Sequence, residues 1–468
     1  MIRHVERQIP GIGAIVANAR ARRNGGEAPT RGQIINAANF TALPVEQRYG
    51  DHYLGQLSPL VTGEGELALL SSPLPGHMEF LGKLGFPGKV FAMPHMQHSG
   101  DLYDADPLTT LTRLLPEGGT LHNGDTAHRY ALNPVFVTPE VVRRGRQVGI
   151  ETLDIPDSTQ TNDKARLRDH AREFGIRMFD GHVYSGEITE DMTAAILERF
   201  ESYPKGVWIK LGQGSGGDSV FHVDQLTEDS LRQTLQYARK NHIASVGGNA
   251  DSWPESHIAP VTDRLVIEAD ARNVARNQEI VSLGSNLVVD GTMVGAFEQI
   301  TDNGAFVGSR TVRLTPAQEE LLTRQVVAAT NYMESIGFPY PFGMDYIFYE
   351  NQQGVLQIGI LEINARLPIS GYAWWTAQRL GVEGFYNSNV TLPAPVSDFS
   401  QVEEMLTLPS GENLLFDSRR GWGIVPAAFR TIPGTSSPHA KFFLMGSDEE
   451  QGFIRDRMLE NGIRLGVL

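Results

Sequence analysis

The chain has 468 residues, of which 41% are hydrophobic and 20% are charged, so it has an ordinary globular composition and enough length for about two to four domains. Its 40 Lys and Arg residues against 55 Asp and Glu give a net charge of -15, which argues against broad nucleic-acid binding because such binding needs clustered cations. The sequence contains no cysteine, which excludes disulfides, thiolate metal sites and cysteine nucleophiles.

The hydrophobic segments are short throughout the sequence. No stretch approaches the roughly 18 apolar residues that a membrane span needs, and residues 1–7 lack the apolar segment of a signal peptide. We therefore expect a cytoplasmic protein that acts neither on membranes nor on nucleic acids.

The N-terminal third, residues 1–155, alternates glycine- and proline-rich turns with short apolar runs such as residues 67–70 and 89–92. Strand-like runs between turns favour an α/β domain in this part of the chain.

A helix is predicted over residues 164–174, where apolar side chains recur at helical spacing. Asn162 or Asp163 can cap its start, and Gly175 can end it. Lys164 then lies in the first turn, where a lysine opposes the helix dipole. This position suggests a phosphate nearby, and a solvated lysine is the alternative.

A second lysine ends the apolar strand-like run of residues 207–210 and leads into a glycine-rich loop. Glycines let backbone N–H groups approach phosphate oxygens, and the lysine adds a charge at the loop entrance. A flexible hairpin or linker is the alternative. The loop lacks the ending of a P-loop, and no dinucleotide-binding glycine pattern follows a first strand. The candidate phosphate contacts are Lys210, Gly212, Gly214, Ser215, Gly216 and Gly217.

Two further segments carry candidate ligand groups. Residues 264–270 form an apolar strand-like run that contains Glu268 and ends in Asp270. Arg310 and Arg313 are candidates for binding a substrate carboxylate, because a guanidinium pairs with a carboxylate through two hydrogen bonds. Either arginine could equally form a surface salt bridge.

The pattern at residues 342–364 predicts a β-hairpin, with strands at 342–349 and 355–364 and a turn between them. Because side chains alternate along a strand, Glu362, Asn364 and Arg366 should share one face. Asp345 can lie opposite this row and add a third oxygen ligand.

This face offers two carboxylates, an amide and a guanidinium, a set suited to Mg²⁺, or to Mn²⁺, and to a transferring phosphoryl group. The same alternation predicts that Leu361, Ile363 and Ala365 point into a core. An ordinary solvated hairpin face is the alternative interpretation.

The order of these features over residues 155–385 resembles the ATP-grasp superfamily. In that family two lysines contact the nucleotide phosphates, a glycine loop closes over them, a strand ending in glutamate forms the adenine and ribose hinge, and an Asp, a Glu and an Asn hold Mg²⁺. The resemblance therefore implies phosphate contacts at Lys164 and Lys210, a mobile loop at Gly212 to Gly217, a hinge at Ile267 and Glu268, metal ligands at Asp345, Glu362 and Asn364, and a phosphoryl-stabilising cation at Arg366. Lys210 and Arg366 are the catalytic candidates.

The resemblance also implies the domain organisation. It predicts an N-terminal α/β pre-ATP-grasp domain over residues 1–155 and an α+β ATP-grasp domain over residues 156–390, with a lid at about residues 200–265. The proline-containing stretch at 391–395 predicts a linker to a small C-terminal α+β domain over residues 391–468.

The implied activity is that of an ATP-dependent carboxylate–amine ligase, which uses ATP and Mg²⁺ and releases ADP and phosphate after forming an acylphosphate. A narrower likeness to the pheganomycin-type peptide ligases implies amino acid or peptide substrates. Three alternatives stay open: a thiol ligase, a phosphotransferase acting on a carboxylate or enol, and a non-catalytic nucleotide-binding protein. A homodimer is compatible with the sequence but is not indicated by it.

Overall fold

The computed structural model of the protein describes residues 11–24, 28, 34–37, 56–71, 74–86, 89–93, 121–123, 126–128, 130–134, 150–152, 161–186, 189–212, 220–247, 264–302, 305–338, 341–429 and 439–466. The α-helices in these ranges are α1 (Ile12–Asn24), α2 (Ser58–Val61), α3 (His77–Lys83), α4 (Lys164–Phe174), α5 (Glu190–Phe200), α6 (Glu228–Gly247), α7 (Pro316–Ser335), α8 (Ile369–Leu380), α9 (Phe399–Met405) and α10 (Asp448–Glu460).

The strands, numbered in chain order, form three larger sheets and one two-stranded ribbon. They are β1 (Ile34–Ala37), β2 (Leu67–Ser71), β3 (Lys89–Met93), β4 (Leu121–Asn123), β5 (Thr126–His128), β6 (Tyr130–Pro134), β7 (Ile150–Thr152), β8 (Gly181–Ser185), β9 (Val207–Leu211), β10 (Val220–Val223), β11 (Arg264–Ala269), β12 (Ala275–Val289), β13 (Thr292–Asp302), β14 (Ala305–Thr311), β15 (Gly343–Asn351), β16 (Leu356–Asn364), β17 (Phe385–Thr391), β18 (Gly423–Phe429), β19 (His439–Met445) and β20 (Arg464–Leu465).

The N-terminal sheet is parallel and has the strand order β3-β2-β1-β6-β7. Ile34 and Ile35 on its central strand β1 are almost fully buried. Parallel strands need crossover connections and helices that cover the sheet, so this arrangement is an α/β layer. The α/β class predicted for the first part of the chain is confirmed.

A four-stranded antiparallel sheet in the order β10-β9-β11-β8 has a hydrophobic core of its own with helices α5 and α6. Ile209 and Ile267 from the sheet pack there with Phe200 and Leu231 from the helices. Its strands and helices fall between residues 181 and 269, the part of the chain in which the sequence predicts a lid at about residues 200–265.

The largest sheet has the path β16-β15-β12-β13-β14-β17-β19-β18, with β20 paired to β17. Strands β15 and β16 form the predicted antiparallel hairpin, with Asp345 directly opposite Glu362. The hairpin prediction is therefore confirmed, including the position of its turn.

The C-terminal segment extends this same sheet through strands β18 and β19. These two strands pair with each other, and β19 also pairs along the whole length of β17. Every residue of β17 except the last, Thr391, is buried, because neighbouring strands and helices cover it. The proline-containing stretch after residue 391 therefore does not separate two sheets in the part of the chain that the structure describes.

Gly359 lets an aromatic ring lie directly against strand β16. A Cβ atom on Gly359 would stand 2.4 Å from Cζ of Phe179, whose side chain is buried. We predict that Gly359→Ala lowers the free energy of unfolding by about 1–3 kcal/mol, because the ring must shift in a close-packed region. Urea denaturation followed by circular dichroism measures this change.

A matched control is Gly452→Ala in helix α10, where the added methyl group meets nothing within 4 Å. Removing a helical glycine there should raise the stability by about 0.5–1 kcal/mol. Equal denaturation midpoints for the two variants would contradict the proposed packing of Phe179 on β16.

Candidate active site

Strand β16 contains a bulge at Leu361. Asp345 pairs with Glu362, whereas the next residue on β15, Tyr346, pairs with Ile360. Leu361 is thus an extra residue with no opposite partner on β15. A bulge of this kind bends the strand and re-aims the side chains that follow it.

The bulge corrects the expectation that Leu361 points into the core. Ile360 and Ile363 both belong to the core cluster on one side of the hairpin, which strict alternation from residue 360 to residue 363 does not permit. The inserted residue lets Ile360 and Ile363 lie on the same face. It also turns Glu362 to the opposite face, where Asn364 lies. Leu361 itself is only partly buried.

Asp345, Glu362 and Asn364 form one compact cluster on that face. The Asn364 amide Nδ2 donates to Asp345 Oδ2 and to Glu362 Oε1, each at 3.2 Å. Burial raises the pKa of Asp345 well above its usual range, and the adjacent Glu362 carboxylate raises it further. Burial would also raise the pKa of Glu362, but Lys164, Asp345 and Arg366 together lower it to about 2. The pKa values of these two neighbouring acids are therefore shifted in opposite directions.

Helix α4 places Lys164 against this cluster. Asp163 is the N-cap: its carboxylate accepts from the backbone N–H groups of Ala165 at 2.8 Å and of Arg166 at 3.2 Å, which starts the helix at Lys164. The buried Lys164 ammonium lies 3.1 Å from Glu362 Oε2. Its backbone N–H donates to the carbonyl of Gly212 at 2.8 Å, so the helix start also touches the entrance of the glycine loop.

Lys210, near the C-terminal end of strand β9, reaches the same region. Its Nζ lies 2.5 Å from Glu268 Oε1 and donates to the carbonyl of the bulged Leu361 at 3.4 Å. Burial, together with the charge of Arg168, lowers the pKa of Lys210 to about 7. The short contact with Glu268 favours the ammonium, so two effects oppose each other. Because the side chain is buried, desolvation outweighs this contact and the pKa is lowered.

Arg168 is a site residue that the sequence did not suggest. It lies one helical turn after Lys164 on α4 and forms an ion pair with Glu268, the residue that also binds Lys210. Burial lowers the pKa of Arg168 to about 10. Both carboxylate oxygens of Glu268 are therefore bound by cations. The sequence signal for Arg168 is its place on the polar face of α4, one helical turn after Lys164.

Arg366 lies just after the ligand strand, in contact with the segment that precedes α4. Its Nη1 donates to Asn162 Oδ1 at 3.2 Å, and the backbone N–H of Ala365 donates to the same oxygen at 2.9 Å. Burial lowers the pKa of Arg366, while the charges of Glu362 and Asp345 oppose that change.

The donor set fits a small divalent cation. When both carboxylates are ionised they repel each other, and a bound cation would remove that repulsion. Among the described residues no group of three or more His, Cys, Asp and Glu could hold a metal. The amide oxygen of Asn364 would therefore have to complete the set with Asp345 and Glu362. Turning the amide over presents this oxygen without moving the backbone.

Other predicted site residues are placed differently. Arg310 pairs with Glu298 at 2.6 Å, and the strand register puts both on the face opposite Asp345. Arg313 is almost fully exposed and lies 3.5 Å from Glu383. The structure brings neither arginine into the cluster in any described contact, and the salt-bridge alternative fits both. The side chain of Ile267 is part of the lid core. The predictions for Gly214, Ser215, Gly216 and Gly217 lie outside the described residues.

Solved structures with the same fold cover almost the whole chain. The biotin carboxylase domain of 2-oxoglutarate carboxylase from Hydrogenobacter thermophilus, a dimer in complex with MgADP, ADP and bicarbonate, has a TM-score of 0.53 at 12% identity and covers 93% of this chain and 91% of its own. Biotin carboxylase from Campylobacter jejuni, in complex with a β,γ-ATP ligand, has a TM-score of 0.55 at 10% identity and covers 92% of each chain.

N5-carboxyaminoimidazole synthetase from Staphylococcus aureus, complexed with ADP, has a TM-score of 0.50 at 11% identity and covers 92% of this chain and 99% of its own. The sequence matches no family model and no curated protein. The architecture is that of the ATP-grasp fold, as the resemblance implied. Within the described residues, no helix is both long and apolar enough to cross a membrane.

The lowered pKa of Lys210 predicts a pH dependence. At pH 6 the side chain is an ammonium, which attracts phosphate; above a pKa of about 7 it becomes neutral and loses that attraction. We expect the affinity for MgADP to fall by about tenfold per pH unit from pH 7 to pH 9, relative to the Lys210→Arg variant, which keeps its charge. Isothermal titration calorimetry at several pH values measures this ratio.

The comparison with Lys210→Arg cancels the titration of Asp345, because that residue is present in both proteins. Parallel pH profiles for the two proteins would show that Lys210 does not lose its proton in this range or does not contact the phosphates.

Proposed function

We propose that the protein is an ATP- and Mg²⁺-dependent ligase that joins a carboxylate to an amine and releases ADP and phosphate. The convergence of three distant segments carries this proposal: Lys164 lies 3.1 Å from Glu362, and Lys210 lies 3.4 Å from the carbonyl of Leu361. Two ammonium groups thus border a cluster of oxygen ligands, which is the arrangement that a nucleotide–metal complex requires.

The proposed chemistry has two steps. In the first, a carboxylate oxygen of the substrate attacks the γ-phosphorus of ATP, and the bond to the bridging oxygen of ADP breaks. In the second, the amine nitrogen attacks the acyl carbon of the acylphosphate, phosphate leaves, and the nitrogen loses a proton. No nucleophilic side chain is needed, because phosphorylation supplies the leaving group.

The chain's own residues would position the nucleotide phosphates and neutralise their charge. Lys164 and Lys210 would bind the phosphates, and Arg366 would stabilise the charge that develops on the transferring phosphoryl group. Asp345, Glu362 and Asn364 would hold Mg²⁺, which supplies charge neutralisation when bound. The lid, with Gly212 at the start of its glycine loop, would exclude water from the acylphosphate.

The finer parts of the proposal concern substrates and setting. We propose that an amino acid or a short peptide is one substrate, as the likeness to the pheganomycin-type peptide ligases implies, and that the enzyme works in the cytoplasm. We also propose that the protein forms a homodimer, because one solved structure of the same fold is a dimer. Gel filtration with light scattering tests the oligomeric state.

An ADP-release screen with MgATP tests the activity, using a pool of carboxylic acids and a pool of amino acids, separately and together. Release that needs both pools supports ligation. Release with acids alone, together with a stable phosphorylated product, supports the phosphotransferase alternative instead. Release that requires a thiol supports the thiol ligase, and binding of MgATP without any release supports a non-catalytic protein.

The role of Glu362 gives a sharper prediction. We expect Glu362→Gln to lower Mg²⁺-dependent ADP release by about 100-fold or more, because the variant loses an anionic metal ligand and the partner of Lys164. Steady-state ADP release in the screen conditions measures the loss.

Glu298→Gln is the matched control. Glu298 also pairs with a cation in the same sheet, but it lies on the opposite face and is partly exposed, so turnover should change by less than about twofold. Wild-type turnover in Glu362→Gln, with circular dichroism showing that both variants fold, would contradict the assignment.

A further inference from the structure

Asn162 and Asp163, which the sequence leaves as alternative helix caps, have separate functions in the structure. Asp163 caps helix α4 through two backbone N–H groups. The Asn162 side chain instead crosses to a part of the chain about two hundred residues away, where its Oδ1 accepts from the backbone of Ala365 and from the guanidinium of Arg366. A capping role therefore does not account for Asn162.

The hydrogen bonds that Asn162 accepts from Ala365 and from Arg366 fix different features of the turn that carries Arg366. The bond from the Ala365 N–H, at 2.9 Å, holds the backbone of the turn that follows strand β16. The bond from Arg366 Nη1, at 3.2 Å, sets the direction of the guanidinium plane. A guanidinium has five N–H donors in a rigid fork, so fixing one of them orients the remainder.

Asn162 also connects Arg366 with the rest of the site. Two residues later, the backbone N–H of Lys164 donates to Gly212 and its ammonium contacts Glu362. One short segment therefore holds Arg366, the entrance of the glycine loop and a metal-ligand candidate at fixed spacing. A neutral amide is suited to this task, since a carboxylate in its place would compete with phosphoryl oxygens for the guanidinium.

We propose that Asn162 is a positioning residue for Arg366, which it holds in the orientation required for phosphoryl transfer. This inference rests on the proposed function, because it assigns Arg366 to the transferring phosphoryl group. Misplacement of such a group by about 1 Å is enough to lower turnover by about 100-fold. Asn162 would therefore affect the chemical step far more than the binding of the nucleotide.

The experiment compares Asn162→Ala, Arg366→Ala and the double variant in steady-state ADP release, with the substrate pools that give the highest wild-type rate. We expect Asn162→Ala to lower kcat by about 10- to 100-fold while the KM for ATP changes by less than about threefold. In the Arg366→Ala background the Asn162→Ala change should cost less than about twofold, because the residue it positions is gone.

Asn273→Ala is the control for a lost side-chain hydrogen bond of similar kind. Asn273 accepts from the backbone of Lys205 at 2.8 Å and donates to the carbonyl of Gly206 at 3.1 Å, without any described contact to Arg366. Its kcat should stay within about twofold of wild type.

A second readout does not depend on turnover. The Nη1–H signal of Arg366 in the NMR spectrum, assigned by its disappearance in Arg366→Ala, should move toward the position of solvent-exposed arginines in Asn162→Ala, because this group donates to Asn162. An unchanged signal, or a further large loss of kcat in the Arg366→Ala background, overturns the inference. If Arg366→Ala keeps wild-type turnover, the proposed role of Arg366 fails and the inference fails with it. If Arg366→Ala is inactive and Asn162→Ala is fully active, only the inference fails.

Discussion

The site depends on the neutralisation of charge in a largely buried region. An isolated charge in a protein interior costs several kcal/mol, so buried ions persist only when counter-charges and hydrogen bonds compensate them. Here Lys164 compensates Glu362, and Lys210 and Arg168 compensate Glu268. Each of these contacts joins segments that are distant in the sequence, so the charge requirement itself fixes how the lid, helix α4 and the hairpin meet.

The bulge at Leu361 is the backbone feature that makes this arrangement possible. In a regular strand without the bulge, Glu362 would share a face with Ile360, and its carboxylate would enter the hydrophobic core of the hairpin. With it, strand β16 supplies apolar side chains to the core on both sides of the bulge and polar ones to the site. The carbonyl of the bulged residue accepts from Lys210, so the irregularity also contributes a site contact.

Local patterns predicted the hairpin, the lysine-bearing helix and the lid strand well, because alternation, helical spacing and capping residues act over short distances. They could not predict the bulge, which depends on how two strands pair, nor the choice of Asp163 over Asn162 as the helix cap. Arg168 was also missed, because its role depends on Glu268, a hundred residues away. The sequence likewise does not show that Glu298 lies opposite Arg310, which is the contact that fits the salt-bridge alternative.

The proposed function has a consequence for how the site must rearrange. Lys164 and a divalent cation compete for the same carboxylate, Glu362, because both need its negative charge. When the contact between Lys164 and Glu362 is released, a phosphate group can bind the Lys164 ammonium instead. The amide of Asn364 must also turn over to offer its oxygen to the cation. Under the proposed function, metal and nucleotide would therefore favour each other's binding, since each would satisfy a charge that the other uncovers. By thermodynamic linkage the effect is reciprocal. The affinity for Mg²⁺ should rise with nucleotide as much as the affinity for nucleotide rises with Mg²⁺.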